Sequence, residues 1–115
     1  MHELSLAGSV LKIVEDAAAR EPFRRVKRLQ LEAGALAGVE VQALRFALEA
    51  IAPGTLLAGA QIDIDEPPGR ALCTACGQSV CIASRVEPCP ACGAFGLRPT
   101  AGLELKVREL IVQDD

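Results

Sequence analysis

Four cysteines in two identical spacings are the residues of this chain best suited to metal chemistry. They form Cys73-Thr-Ala-Cys76 and Cys89-Pro-Ala-Cys92, with twelve residues between the two pairs. Zn²⁺ readily takes four thiolate sulfurs in a tetrahedron, and each C-x-x-C turn, here called a knuckle, places two sulfurs on one side of the metal. The spacing therefore predicts a structural zinc site formed by Cys73, Cys76, Cys89 and Cys92.

Other states of these cysteines are four buried free thiols, two disulfides or a redox dithiol. Independent core thiols would hardly fall into two C-x-x-C pairs, each followed directly by a glycine, Gly77 or Gly93. A redox dithiol usually has one C-x-x-C beside a βαβ pattern, so two pairs favour a metal. Cys81 lies between the knuckles. We expect it to be a small apolar side chain on a short strand, because four ligands already fill a structural site.

The only histidine, His2, follows the initiator methionine and offers a second metal site of a different kind. The α-amine of Met1, the backbone amide nitrogen of His2 and the imidazole Nδ1 can form adjoining chelate rings around one metal. Three nitrogens in a plane suit Ni²⁺ or Cu²⁺ in square-planar geometry and leave a fourth position for another ligand. The alternative is an ordinary solvated terminus, which is what position alone favours.

Hydrophobic periodicity predicts the elements that position these residues. Apolar residues recur at spacings of three and four over residues 5–20 and again over residues 41–51, which predicts two amphipathic helices. Apolar and polar residues alternate in three further segments, which predicts half-buried strands over residues 25–33, 58–65 and 103–112.

The element order predicts an α+β fold with an inserted domain. A small three-stranded sheet covered on one face by two helices would comprise residues 1–68 with 99–115. Glu66-Pro67-Pro68-Gly69 cannot continue a strand and marks a domain edge. Residues 69–98 are therefore expected to form a zinc-ribbon insert that leaves from and returns to neighbouring strands.

Composition and charge argue against several functional classes. The 115 residues include 12 Lys and Arg against 15 Asp and Glu, and the resulting net charge of −3 provides no general basic field for nucleic acid. Residues 1–20 lack the pattern of a signal peptide, and no apolar run approaches the ~20 residues needed to span a membrane. We expect a cytoplasmic protein with reduced thiols and with no membrane or nucleic-acid partner.

Two other functions remain alternatives to metal delivery. A zinc-ribbon interaction or nucleic-acid-binding module without a nickel role would want cations and aromatics on the ribbon, yet residues 69–99 contain three arginines and one aromatic, Phe95. A thiol redox protein would pair Cys81 with a knuckle cysteine. The chain has no Ser, His and Asp set and no phosphate-binding glycine loop, so we do not expect an enzyme.

The start Met1-His2-Glu3-Leu4-Ser5, the element order and the late motifs Cys73-x-x-Cys76 and Cys89-Pro-x-Cys92-Gly93 together closely resemble the HypA/HybF family of hydrogenase nickel-incorporation proteins. The resemblance covers essentially the whole chain. It implies a nickel metallochaperone that helps to insert Ni²⁺ into nickel–iron hydrogenase during maturation. The implied partners are a HypB-type GTPase, the hydrogenase large subunit and, in some organisms, urease maturation proteins.

The resemblance also implies roles for individual residues. His2 would be the essential nickel ligand, backbone nitrogens around Met1 and Glu3 would contribute, and Glu3 would assist binding or transfer. Glu40 stands where family members often carry an acidic residue, so it would approach the nickel, although an ordinary first-turn helix carboxylate explains it equally well. The four knuckle cysteines match the family's zinc ligands, which makes Zn²⁺ structural and Ni²⁺ the cargo. A monomer and a homodimer both stay open, because short hinges would let protomers exchange the insert.

Overall fold

The computed structural model describes residues 2–113, which form two helices and six strands. The helices are α1 (His2–Arg20) and α2 (Val41–Ile51). The strands are β1 (Arg25–Ala33), β2 (Gln61–Asp65), β3 (Gly69–Cys73), β4 (Ser79–Ile82), β5 (Leu97–Ala101) and β6 (Leu105–Gln113). Neither helix of these described residues is long and apolar enough to cross a membrane.

The first compact unit, residues 2–31, 40–64 and 106–113 of the described part, contains both helices and nearly all of a sheet in the order β2-β1-β6. Apolar residues at helical or alternating spacing are buried in each element, which is why the periodicity predicted them. The predicted three-stranded sheet with two helices is therefore confirmed. The main buried side chains are Val10 and Val14 of α1, Val26, Leu29 and Leu31 of β1, and Leu44 and Leu48 of α2.

Three elements have boundaries that differ from the predictions, and the last of them, β6, covers residues 105–113 rather than 103–112. Helix α1 begins at His2 within the described residues, rather than at Ser5, because the residues before the apolar stripe continue the helix and Glu3 suits its first turn. Strand β2 begins at residue 61 rather than 58. Backbone hydrogen bonds from Ala58 to Thr55 and from Ala60 to Leu57 hold the preceding residues in turns.

The second compact unit comprises residues 32–39 and 65–105 and contains a sheet in the order β4-β3-β5. Both pairings are antiparallel, with Arg70 opposite Cys81 in β4 and Cys73 opposite Leu97 in β5. A small apolar cluster forms its core, and two cysteines belong to it. The cluster contains Leu36, Ala71, Cys73, Val80, Ile82 and Cys89, with Leu97 packed against them.

Residues 34–36 form a strap that belongs to this second unit. The N–H groups of Gly34, Ala35 and Leu36 donate to the carbonyls of Glu104, Pro67 and Gly102 at 2.8–3.0 Å. The Arg85 guanidinium also donates to the Leu36 carbonyl, through Nε at 3.3 Å and a terminal nitrogen at 3.1 Å. The strap is thus bonded through every backbone N–H it has.

The structure corrects one prediction about the insert and adds a strand at its end. The chain leaves the first sheet from β2 and returns in β6, and these strands flank β1 instead of being neighbours. Residues 97–101 form β5, a strand that the alternation of apolar and polar residues did not predict. The predicted insert, residues 69–98, lies within the second unit, and the division into functional domains at residues 68/69 and 98/99 stays a prediction.

Close backbone approach explains the glycine at position 34. A Cβ there would lie 2.3 Å from the carbonyl carbon and oxygen of Gly102, far inside van der Waals contact. Gly8 is the opposite case. It is an exposed residue in the middle of α1, and a Cβ added to it would have no atom within 4 Å. A methyl group can therefore be added freely at residue 8 but not at residue 34.

We expect Gly34→Ala to lower the free energy of unfolding of the zinc-loaded protein by about 1–3 kcal/mol, because the backbone must move to accept the methyl group. The thermal midpoint should fall accordingly. Gly8→Ala is the matched control. Gly8→Ala should raise the free energy of unfolding by up to about 1 kcal/mol, and with it the midpoint, because alanine is the better helix former. Thermal unfolding followed by circular dichroism measures both, and a Gly34→Ala variant as stable as the parent would contradict the strap geometry.

Candidate metal sites

The two knuckles have the same backbone geometry. In the first, the Cys73 N–H donates to the Gln78 carbonyl at 2.9 Å, and the Gly77 N–H donates back to the Cys73 carbonyl at 2.9 Å. In the second, Cys89 bonds to the Ala94 carbonyl and Gly93 bonds to the Cys89 carbonyl, both at 2.8 Å. Gly77 and Gly93 have φ values of 76° and 78°, which explains the glycine after each pair.

The four knuckle sulfurs converge on one point. All lie within 4.8 Å of one another, and the shortest cross-knuckle distances are 3.7 Å from Cys73 to Cys92 and 3.9 Å from Cys76 to Cys89. A tetrahedron with metal–sulfur bonds of about 2.3 Å has edges of about 3.8 Å. The cluster therefore has the dimensions and the ligand type of a four-thiolate zinc site.

A backbone N–H points to the sulfur of the first cysteine in each knuckle. The Cys76 N–H points to the Cys73 sulfur at 3.4 Å, and the Ala91 N–H points to the Cys89 sulfur at 3.4 Å. The Cys76 amide is the main cause that lowers the pKa of Cys73 to about 6. At Cys92 the Ala94 amide acts to lower the pKa, but the neighbouring thiols, Cys73 first, and desolvation outweigh it and raise the pKa to about 11. Without a metal, the cluster thus favours the thiolate of Cys73 and disfavours ionisation of Cys92.

Cys81 lies apart from this cluster. It is exposed on β4, directly opposite Arg70 of β3, and the Arg70 guanidinium contacts its sulfur at 2.9 Å and the Ser79 hydroxyl at 3.1 Å. The short strand was predicted, and the structure adds that the side chain of Cys81 is exposed and has a polar neighbour. The four-residue metal cluster found among the described residues does not include Cys81.

The predicted nickel residues lie at the start of α1. His2 is exposed in the first turn, and Met1 lies outside the described residues. N–H groups in the first turn of a helix have no acceptor within the helix. Backbone amide nitrogen at this position is therefore available for chemistry, together with an imidazole that faces solvent.

Glu3 and Glu40 are linked by a hydrogen bond that the sequence did not predict. A Glu3 carboxylate oxygen accepts the backbone N–H of Glu40 at 3.0 Å, and this bond is the main cause that lowers the pKa of Glu3. Glu40 is the N-cap of α2, because its own carboxylate accepts the Gln42 N–H at 3.0 Å. Glu40 therefore stands just before the helix, and the two predicted acidic residues meet at the starts of both helices.

Comparison with known proteins gives concordant results. A family described as HypA, hydrogenase/urease nickel incorporation metallochaperone, matches residues 1–112. Hydrogenase maturation factor HypA of Cupriavidus necator is 60% identical over 114 residues, which cover 99% of this chain and 96% of that protein. The HypA of Polaromonas naphthalenivorans is 57% identical over 115 residues and the full length of both chains.

A solved structure with a similar fold extends this result. The solution structure of the Ni metallochaperone HypA from Helicobacter pylori matches with a TM-score of 0.70 and covers 98% of each chain. Its sequence identity to this chain is 18%, so the match concerns the fold. Helices and sheets of the described residues therefore follow an architecture already observed by experiment.

We expect Cys73→Ser to lose tightly bound zinc, because Cys73 is one of the four cysteines of the cluster. Cys81→Ser should retain one zinc per chain, because Cys81 is not part of the cluster. Chelation of the metal should then unfold β3, β4 and β5, since metal binding and folding are coupled in small thiolate sites. Metal analysis and NMR amide dispersion measure the two effects. Loss of zinc in Cys81→Ser would contradict the assignment of ligands.

We expect Glu3→Ala to speed solvent exchange of the Glu40 amide several-fold, because that N–H loses its acceptor. Glu15→Ala removes an exposed carboxylate of the same helix and should leave the Glu40 amide unchanged. Hydrogen exchange followed by NMR measures this rate. Equal protection of Glu40 in the parent and in Glu3→Ala would mean that the link does not persist in solution.

Proposed function

The chain belongs to the HypA family of hydrogenase/urease nickel-incorporation metallochaperones, and we propose that it binds Ni²⁺ at its N-terminus and helps to insert it into a nickel–iron hydrogenase during maturation. The match over residues 1–112 is the observation that carries this proposal. It includes His2 and all four knuckle cysteines. Relatives with 60% and 57% identity over nearly their full lengths are named as hydrogenase maturation factors, which supports the same client.

In this proposal the zinc is structural. Cys73, Cys76, Cys89 and Cys92 hold Zn²⁺, which supplies a fixed tetrahedral junction between the two knuckles. Cys73 and Cys89 are 1% and 2% exposed, so one cysteine of each knuckle is buried in the small core of the second unit. This burial supports a retained site, because two of the four ligands, Cys73 and Cys89, are also side chains of that core, while Cys76 and Cys92 are exposed.

The proposed nickel site, in contrast, is exposed and suited to releasing its metal. His2 supplies imidazole nitrogen, and the amine of Met1 with the His2 backbone amide supplies two more nitrogens, a set that suits square-planar Ni²⁺. The exposure of His2 in the first turn of α1 supports release to a partner. A bound metal there could be reached from solvent without unfolding.

Glu3 and Glu40 are proposed to stand beside the nickel in different roles. The bond from the Glu40 N–H to the Glu3 carboxylate fixes the first turn of α1 to the N-cap of α2, so Glu3 orients the chelating nitrogens. The Glu40 carboxylate already caps α2 through one oxygen. Its second oxygen is the one left to approach the metal.

The proposed partners follow from delivery to a hydrogenase. They are a HypB-type GTPase and the hydrogenase large subunit, with urease maturation proteins as further partners where urease is a client. We infer that the chain works in the cytoplasm, as a monomer or homodimer, and that it carries metal without catalysing a reaction. Reduced thiols in that compartment favour zinc over disulfides.

A nucleic-acid-binding ribbon is the less favoured alternative. Two of the three ribbon arginines have partners inside the second unit, since Arg70 contacts Cys81 and Arg85 binds the Leu36 carbonyl. These partners are neutral and leave both charges in place, but three arginines are too few for a basic surface that binds phosphates. The side-chain contacts of the ribbon arginines therefore add no support for nucleic-acid binding.

We expect zinc-loaded, tag-free protein to bind one Ni²⁺ per chain and His2→Ala to lose this binding, because His2 is the only imidazole in 115 residues. Affinity should fall on acidification, since protons compete with the metal for nitrogen. Calorimetric titration measures both. Glu15→Ala, a substitution elsewhere on α1, is the control and should bind nickel like the parent.

An extension of several glycines before Met1 distinguishes the chelate from an isolated imidazole, because it moves the amine out of chelating distance while leaving His2 intact. The extended protein should bind nickel more weakly than the parent. Hydrogenase activity in cells that lack this chain should return with the parent sequence and not with His2→Ala. Equal nickel binding by parent and His2→Ala would remove the proposed site.

A further inference from the structure

Residues 20–28, from the end of α1 into β1, concentrate positive charge in an otherwise acidic chain. They hold five of the twelve lysines and arginines and only one acidic residue, Glu21, although the net charge of the whole chain is −3. We call residues 20–28 the basic segment. Its five cations are all exposed, namely Arg20, Arg24, Arg25, Lys27 and Arg28.

Two of these cations have acidic residues near them. Arg28 forms an ion pair with Asp63. The Arg25 guanidinium lies beside Gly59, in a groove that Glu49 also lines. These two cations are therefore less available to a partner.

The other three cations, Arg20, Arg24 and Lys27, are uncompensated within the part of the chain that the structure describes. They have no ion pair or side-chain hydrogen bond with any residue there. Asp16, one turn before Arg20, is already paired with Lys12 at 3.6 Å. Arg20 and Lys27 are seven residues apart, which limits the distance between their Cα atoms to about 25 Å. One short segment of a partner can therefore reach all three charges.

An apolar groove lies beside these charges. It has a volume of about 330 Å³, and Arg20 and Glu21 are the charged residues that line it. Its other lining residues are Ala17, Pro22, Phe23, Leu110 and Val112. Arg24 directly follows Phe23, and the Arg24 N–H donates to the Gln113 carbonyl at 2.8 Å, at the end of β6 that contributes to the groove. The backbone of Arg24 therefore lies at the edge of the groove.

We propose that the basic segment and this groove bind a short acidic segment of a partner protein, which places one apolar side chain in the groove and carboxylates at Arg20 and Arg24, toward Lys27. Opposite charges across an interface speed encounter and disfavour wrong partners. The groove supplies the apolar pocket, and the cations around it fix the orientation of the bound segment. This surface is independent of the proposed nickel site.

Nucleic acid fits this surface less well than an acidic peptide does. Outside the basic segment, acidic residues clearly outnumber lysines and arginines. A phosphate backbone that extends past the basic segment would therefore meet negative surface. Phosphates also leave the apolar groove empty, whereas a peptide side chain fills it.

A second copy of the chain is also a poor occupant. The densest acidic run, Asp63-Ile64-Asp65-Glu66, lies largely in β2. Asp63 is already paired with Arg28, and Asp65 also has a partner. A second copy would have to break these contacts in order to offer this run to the basic segment.

The test uses two synthetic peptides of about ten residues, enough to span the basic segment when extended. Both have a tryptophan and a leucine at the centre, and the flanking residues are glutamates in one peptide and glutamines in the other. The chain has no Trp, so peptide fluorescence reports binding directly. We expect the glutamate peptide to bind at least about fivefold more tightly at low ionic strength. Salt at about 0.5 M should remove most of this difference.

Two double variants with the same loss of charge locate the binding. Arg20→Gln/Arg24→Gln should weaken binding of the glutamate peptide at least about fivefold and leave the glutamine peptide unchanged. Arg70→Gln/Arg98→Gln removes the same charge from the second unit and should have no effect. All four arginines are exposed, and circular dichroism checks that both variants fold.

Two neighbouring residues of β6 test the groove. Val112 lines the groove and Ile111 does not, although both are partly exposed. Val112→Ser should weaken both peptides at least about threefold, because apolar contact is lost, whereas Ile111→Ser should weaken neither.

Several outcomes would overturn the proposal. Three of them are no binding of the glutamate peptide, equal binding of both peptides at low ionic strength, and equal weakening by the two double variants. Tighter binding of a ten-nucleotide single-stranded DNA than of the glutamate peptide would make nucleic acid the occupant. A concentration-dependent dimer that Arg20→Gln/Arg24→Gln abolishes would make it a second copy.

The acidic end of the chain supplies a last control. Asp114 and Asp115 follow Gln113 in the sequence and lie outside the described residues. Asp114→Asn/Asp115→Asn should bind the glutamate peptide at least as tightly as the parent does. Binding that occurs only in this variant would mean that the chain's own end occupies the basic segment, which contradicts the proposal. None of these measurements requires nickel, so their failure is distinct from failure of the proposed nickel site.

Discussion

Four sulfur atoms within 4.8 Å of one another set the condition on which the second unit depends. Thiolates this close repel one another, and the raised pKa of Cys92 expresses that conflict, because the neighbouring thiols and desolvation outweigh the lowering effect of the Ala94 amide. A bound dication resolves it by sharing the negative charge. The unit has about fifty residues, and two of its six core side chains are cysteines, so its apolar core alone is small for independent folding. Metal binding thus completes the core as well as joining the knuckles.

The strap at residues 34–36 shows how the same unit incorporates a distant part of the sequence. Leu36 lies in the core cluster, and its carbonyl and N–H are both bonded within the unit, to Arg85 and Gly102. Gly34 lacks the side chain that would collide with Gly102. Four residues after Leu36, the Glu40 N–H binds Glu3 at the start of α1. Leu36 and Glu40 thus serve different units, Leu36 as a core residue of the zinc-binding unit and Glu40 as the partner of Glu3 in the first unit.

Local patterns predicted most of the first unit, while non-local contacts escaped prediction. Strand β1 and helix α2 have strong apolar periodicity, and the cysteine spacing identified the metal cluster without structural data. Strand β5 was missed because Pro99 lies within it and its apolar alternation is weak. Leu36 stands alone among glycines and alanines, so nothing local marks it as core. The link from Glu3 to Glu40 joins residues 37 positions apart, and no spacing rule describes such a pair.

The two proposed metal sites differ in what metal release would cost the protein. Zinc bound by Cys73 and Cys89 is held by side chains that are 1–2% exposed, and its loss would uncover the core they belong to. Nickel bound by His2 would sit on an exposed first turn, where no buried contact depends on it. Sulfur ligands retain Zn²⁺ and nitrogen ligands suit Ni²⁺, so ligand type sorts the metals while burial sets how readily each leaves. If nickel binds as proposed, a cargo metal on an exposed turn and a structural metal anchored to a core by Cys73 and Cys89 would let one small protein keep one metal and give up the other.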